Sequence, residues 1–187
     1  MTAETQEPDL IDVIISDHRR VEQIFTELEN SSSPQVRKQL TEHVITELVR
    51  HSVAEEQHMY PAARRVLEDG DRLVDHELRE HAEAEQVMKD LEGLEADDPE
   101  FQRLLDELIA DIRHHIDEEE KDLLPRLRAA CTREELRDLG AKVVKAKEWA
   151  PTRPHPSAPD TPPANRILAP GAGLIDRMRD ALSGRRS

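Results

Sequence analysis

The amino-acid sequence predicts an all-α fold: an antiparallel up-down four-helix bundle with a short fifth helix and a Pro-rich C-terminal extension. Three observations carry this. The body of the 187-residue chain is rich in Leu, Ala, Glu, Arg and Lys, with only 2% aromatic residues, a helical vocabulary. No β-branched alternating run bounded by turn residues occurs, so no sheet is expected. The third observation is an internal repeat. The segment from Asp17-His18 to Glu29 is echoed from Glu80-His81 to Glu92, and His51 to Pro61 is echoed from His115 to Pro125. The offsets are 63 residues (81 − 18) and 64 residues (115 − 51), so a helical hairpin is duplicated with one extra residue in the second copy. Two such hairpins packed together make a four-helix bundle.

Start and stop signals place the elements in order. Residues 1–7 are expected to be disordered, and Pro8 can open a first helix that runs to about Asn30. Ser33-Pro34 supplies an N-cap followed by Pro at the first helical position, opening a second helix to about Glu68. Asp69-Gly70-Asp71 breaks it, and a third helix covers about Arg72 to Glu95. Asp98-Pro99 opens a fourth helix, to about Ala130. Thr132 and Glu135 have capping-box spacing for a short fifth helix ending near Trp149. The bundle domain is thus read as residues 8–149, followed by a Pro-rich linker, 150–170, and a short basic amphipathic helix, 171–187.

Helical phase then locates the chemistry. An α-helix advances about 100° per residue, so each long helix carries a His and, four residues later, a Glu on its apolar stripe. These pairs are His18/Glu22, His51/Glu55, His81/Glu85 and His115/Glu119. Burying ionised carboxylates costs several kcal/mol unless they are paired or metal-bound, and mixed imidazole and carboxylate ligation suits iron. A single inward His would read as a hydrogen-bonded core residue; four at one level of a duplicated bundle read as a metal site. The same phase selects Glu55 over Glu56 and Glu119 over Glu120. His114 is one residue out of phase, at the surface or behind a ligand. His43, His58 and His76 lie off their stripes and are expected in solvent, and His155 sits in the linker. Tyr60 reads as a core or rim tyrosine rather than a cluster residue.

Composition excludes other classes. The net charge of −15 argues against nucleic acid as a partner, which needs clustered Lys and Arg. No apolar run approaches the roughly 20 residues that span a bilayer. The first ten residues do not resemble a signal peptide, and the single cysteine, Cys131, forms no internal disulfide. A soluble cytoplasmic protein is expected.

The ordered pattern His, His-x-x-x-Glu, His, His-x-x-x-Glu, with Tyr60-Pro61 and Leu124-Pro125 after the second and fourth motifs, resembles the hemerythrin family in its bacterial HHE cation-binding branch. The likeness covers roughly residues 8–130. It implies a non-haem, carboxylate-bridged pair of irons held by His18, His51, Glu55, His81, His115 and Glu119, the two glutamates bridging. Glu85 stands where the invertebrate oxygen carriers of the family have a further histidine ligand. Either Glu85 coordinates or one iron keeps an open position, and Glu22, its repeat partner, is read as either a neighbour of the ligands or a surface residue. The resemblance implies binding of, or reaction with, O2, peroxide or NO, in sensing or stress protection. A metal-dependent peroxidase or catalase-like enzyme, and a structural bundle binding iron or zinc, are the alternatives. Leu174, Ile175, Met178 and Leu182 form an apolar stripe flanked by arginines, expected to dock on the protein's own surface or on a second copy.

Overall fold

The computed structural model describes residues 7–158, 160–162 and 164–183, and among them there is no strand. The helices are α1 (Leu10–Asn30), α2 (34–66), α3 (Gly70–Glu92), α4 (99–130), α5 (Arg133–Trp149) and α6 (Ala164–Ser183). The long helices α2 and α4 each change pitch once. An α-helical piece (Pro34–Ala54, Pro99–Glu118) passes through a π-helical turn (Glu55–Met59, Glu119–Leu123) into a second α-helical piece (Tyr60–Val66, Leu124–Ala130).

The caps follow the sequence closely. Asp9, rather than Pro8, caps α1: its side chain accepts the Ile11 and Asp12 amides, and Asp12 returns the bond to the Asp9 amide. Ser33 and Asp98 cap α2 and α4 with Pro at the next position, and Thr132 with Glu135 caps α5 as a capping box. Short connections make α1–α2 and α3–α4 antiparallel hairpins, while α5 packs across α1 and α2.

The two π turns have a common cause. Pro61 and Pro125 carry no N–H and would crowd the carbonyl four residues back. The preceding amides instead reach five residues back, Tyr60 to the Glu55 carbonyl and Leu124 to the Glu119 carbonyl. Such turns occur mostly at functional sites, and here both begin on the glutamates that phase singled out. The apolar core is correspondingly in two parts. One, around Phe25, Leu48, Met88 and Leu108, fills one end of the bundle; the other, around Ile14, Met59, Val74 and Leu123, fills the end that α5 covers. The histidine level lies between them.

The C-terminal segment departs from expectation in two ways. Its helix starts at Ala164, inside the stretch read as linker. The prolines at 162 and 163 precede its first residue in the sequence, where they remove no intrahelical hydrogen bond, and the Asn165 amide already bonds to the Thr161 carbonyl. The helix also docks by its acidic face. Asp176 and Asp180 are buried, whereas Leu174, Ile175 and Met178 are 54–60% exposed. The reason is backbone accounting. The extended segment after Trp149 has amides that no ladder satisfies, and a buried N–H needs an acceptor. Asp176 accepts the Thr152 and Arg153 amides, and Asp180 takes the Thr152 hydroxyl and the Arg153 guanidinium. The expected disorder of residues 1–7 lies, except for Glu7, outside the described residues, as does the side chain of Leu182.

Gly140 marks the tightest approach of α5 to α1. A Cβ there would stand 2.8 Å from the backbone of Asp9 and Leu10. Gly140→Ala is expected to cost about 1–3 kcal/mol, read as a lower thermal midpoint; an unchanged midpoint would show that α5 is not seated this closely.

Candidate metal centre

The structure brings His18, His51, Glu55, His81, His115 and Glu119 together, all buried. Each histidine comes from a different helix of the bundle. They form two pairs: the His18 and His51 rings are 5.1 Å apart, and those of His81 and His115 are 4.9 Å apart. The two glutamates lie between the pairs. Glu55 sets one oxygen 3.1 Å from His51 Nε2 and the other 3.5 Å from His81 Nε2. Glu119 sets one oxygen 3.4 Å from His18 Nε2 and the other 3.9 Å from His115 Nε2. Each carboxylate therefore spans both pairs, which is the arrangement a bridging ligand needs.

All four rings are held from behind in the same way. The Nδ1 atoms of His18, His51, His81 and His115 face Glu120 (2.9 Å), Asp17 (3.4 Å), Glu56 (3.0 Å) and Glu80 (2.9 Å). A carboxylate on Nδ1 fixes the proton there and leaves the Nε2 lone pair pointing inward, as in metal-ligating histidines generally. The pattern obeys the repeat. The acid preceding each first histidine, Asp17 or Glu80, holds the second histidine of its own hairpin. The acid following each bridging glutamate, Glu56 or Glu120, holds the first histidine of the other hairpin. Glu120 is gripped in turn by Arg19, at 2.8 and 2.6 Å, and Asp17 by Lys147 of α5.

The donor set fits cations and little else. Both oxygens of Glu55, Glu119 Oε2 and His18 Nε2 are buried without a hydrogen-bond partner, a state that costs heavily unless charge compensates it. His81 Nε2 and His115 Nε2 face each other at 3.2 Å, close enough for both ring nitrogens to turn to one cation when it displaces the proton between them. The electrostatics agree. Burial and the adjacent Glu119 push the Glu55 carboxyl well above the usual range. Glu119 is held down at about 2, its burial overcome by His115, His18 and His51. Burial drives His51 down to about 4, while at His115 the burial is outweighed by Glu119, Glu77 and Glu80, which raise it to about 10.

Several expectations change. Glu85 does not approach the centre; it accepts the His155 amide at 2.7 Å. Glu22 pairs with Arg113 at 2.6 Å near the surface. Tyr60, read as core or rim, is fully buried with its hydroxyl 3.0 Å from His81 Nε2 and donating to Glu119 Oε1 at 3.2 Å. Glu77, which phase reasoning passed over, is buried with Oε2 3.2 Å from His115 Nδ1. Its signal was available: it stands four residues before His81, where the other copy has Ile14. Of the off-stripe histidines, His43 and His114 are exposed, whereas His58 and His76 are half-buried. His155 bonds Asp176, at 2.9 Å.

A half-enclosed cavity of about 220 Å³ touches all four buried histidines, walled by Val21, Leu48, Ala84 and Ile112.

Comparison with known proteins gives the following likenesses. The family model described as Hemerythrin HHE cation binding domain matches residues 9–127. An uncharacterized hemerythrin-like protein of Schizosaccharomyces pombe (strain 972) is 30% identical over 172 residues, 91% of this chain and 85% of that one. A DNA nickase of Nostoc sp. (strain PCC 7120) is 26% identical over 145 residues, 78% of this chain but 41% of the nickase. The crystal structure of a hemerythrin HHE cation binding domain-containing protein from Mycobacterium kansasii superposes with a TM-score of 0.65 at 22% identity, covering 75% of this chain and 86% of that one.

Because Glu55 is held as the neutral acid when no metal is bound, Glu55→Gln is expected to leave the metal-free thermal midpoint unchanged or higher. The same variant should lose the stabilisation that metal gives the native chain, about 2.7 kcal/mol at a hundredfold excess over Kd. Thermal melts with and without metal read both; a variant stabilised by metal as fully as the native chain would remove Glu55 from the centre.

Proposed function

The chain belongs to the hemerythrin HHE cation-binding family, and from that membership and its buried centre we propose a non-haem di-iron protein that binds or reacts with O2, peroxide or NO, in sensing or stress protection. The observation that carries the reading is the pair of glutamates whose opposite oxygens face two separate histidine pairs. His18, His51, Glu55, His81, His115 and Glu119 are the proposed ligands. Iron held there would supply redox chemistry toward a small ligand. The chain supplies the rest. The Nδ1 carboxylates keep the rings aimed, and the apolar walls of the 220 Å³ cavity limit water beside them while leaving room for a diatomic molecule or peroxide. Neither Glu85 nor Glu22 takes the place of the family's further histidine. Glu77 and Tyr60 are the groups that stand near the His81/His115 half instead.

Tyr60 favours the peroxide reading among the three ligands. Its hydroxyl carries a proton within hydrogen-bond reach of the centre, and burial with Glu119 and Glu55 nearby keeps the free phenol strongly protonated. A cytoplasmic setting suits the single free cysteine. DNA cleavage is not carried over from the nickase: the match covers less than half of that protein, and a net charge of −15 opposes phosphate binding.

Iron added anaerobically to about two per chain, the stoichiometry this donor set suits, should develop ferric charge-transfer absorption in the near ultraviolet on exposure to O2 or peroxide. His115→Ala should fail to reach that iron content. Tyr60→Phe should keep the iron but lower peroxide turnover by about a hundredfold, the lower end of what a positioned proton donor contributes. Zinc alone in protein purified without added metal, or full iron in His115→Ala, would overturn the reading.

The exposed Leu174, Ile175 and Met178 stripe also supports self-association through α6. Light scattering during size exclusion should show a concentration-dependent increase in mass that Met178→Asp abolishes; a monomer at all concentrations would refute it.

A further inference from the structure

Ionisable residues continue outward from the buried level on the solvent side of the α3–α4 hairpin. His76 and Glu80 stand one helical turn apart on α3, and His114 and Glu118 one turn apart on α4. Both pairs repeat the His-x-x-x-Glu spacing of the buried set. His114 and Glu118 each precede a buried residue, His115 and Glu119, by one position. A shift of one residue turns a helical side chain by about 100°, so the second set faces out of the bundle beside the first.

The two pairs meet across the hairpin. His76 Nε2 is 3.0 Å from Glu118 Oε2 and 3.5 Å from Glu80 Oε1. His114 Nε2 lies 3.7 Å from the other oxygen of Glu118. Ligand atoms bound at 2.0–2.2 Å around a tetrahedral ion stand about 3.4 Å apart, so His76, Glu80 and Glu118 already have the spacing of a coordination shell, while His114 stands beside the other oxygen of Glu118. The bland alternative is a surface ion pair between His76 and Glu118. That pair alone does not account for the second histidine, or for Glu80 turning its free oxygen toward His76 while its other oxygen holds His115. It also leaves the local charge negative. The Asp111 carboxyl, at the same face, is pushed up by its partial burial and by Glu107, Glu83 and Glu80. The nearby cation is Arg79, whose guanidinium lies 3.3 Å from His76 Nδ1; it is exposed and can turn aside into water.

This cluster connects to the centre in two ways. Glu80 faces His76 with Oε1 and holds His115 Nδ1 with Oε2, 2.9 Å away. Glu80 and His114, with Glu83 and Asp111, also line the cavity that reaches the four buried histidines. An ion held by the outer residues would sit beside this cavity, one carboxylate away from His115.

We propose that His76, Glu80 and Glu118, with His114 beside Glu118 as an auxiliary donor, form a solvent-facing site for a first-row divalent cation, separate from the buried pair, which captures the incoming ion and passes it to the centre. The capture site stands on its own geometry; its role in loading rests on the di-iron reading above.

The test uses the full-length metal-free chain and anaerobic Fe2+. Equilibrium dialysis should find a weaker ion in addition to the tightly held ones. The double variant His76→Ala/Glu118→Gln, which changes side chains facing out of the bundle and none of the proposed ligands, should lose only that weaker ion. In stopped-flow mixing the variant should fill the buried centre about tenfold more slowly, yet reach the same final tight iron content. Circular dichroism and the single His114→Ala variant, which should weaken the outer ion several-fold, guard against a folding artefact. Equal binding curves for native and variant protein would overturn the site. Loss of the outer ion with an unchanged filling rate would overturn its role in loading. If the outer ion binds as expected but fewer than two ions occupy the centre, the di-iron reading falls and the capture site remains.

Discussion

Glu55 and Glu119 are both 0% exposed, and their oxygens look across the bundle at histidines from every long helix. A buried carboxylate without a donor is among the most costly groups a fold can contain, so the rest of the structure is arranged around these two. The apolar core divides into one cluster on each side of them. The helices that carry them abandon regular α geometry where they occur, and the prolines that force the π turns lie six residues further on, at 61 and 125. In the metal-free chain the tension favours protons: burial and Glu119 push the Glu55 carboxyl well upward, and Glu119, Glu77 and Glu80 outweigh burial to raise His115 to about 10. Cation binding must displace those protons, which ties affinity to pH.

The surrounding acids explain how a cluster of lone pairs stays aligned without collapsing. Each ring is held through Nδ1 by a carboxylate from another helix, so no histidine can rotate to satisfy itself inside the site. Two of these carboxylates act within a hairpin and two act between hairpins. The hydrogen bonds that aim the histidines therefore also lock the two copies of the repeat together. Lys147 extends the chain of contacts to α5 through Asp17, which gives the fifth helix a part in the centre that it does not touch.

The helices were legible because proline, capping residues and the 63-to-64-residue repeat are local signals. The six central residues were legible because helical phase places Glu55 and Glu119, not their neighbours, on the inner stripe. What escaped was what phase on a single helix cannot express. Glu56 and Glu120 do turn away from the histidines of their own helices, but they turn toward those of another. Tyr60 escaped for a different reason: a regular helix carries it about 140° past Glu55, whereas the π turn sets a residue five positions on nearly above its start. The docking face of the terminal helix is not legible from its apolar stripe, because it is set by the amides at 152 and 153 that need Asp176 and by the Thr152 and Arg153 side chains that need Asp180.

The departures from the repeat are not scattered. Tyr60 aligns with Leu124 and Glu77 with Ile14, and in both cases the polar member sits by His81 and His115 while the apolar member packs in the core. Duplication alone would have produced two equivalent halves. Selective replacement of apolar by polar residues on one side produces instead a plain half, with two histidines and the shared glutamates, and an elaborated half with a phenol and an additional carboxylate. The outer cluster lies on the elaborated side as well, joined to it through Glu80. The two halves of the centre therefore differ in charge and in the protons held beside them.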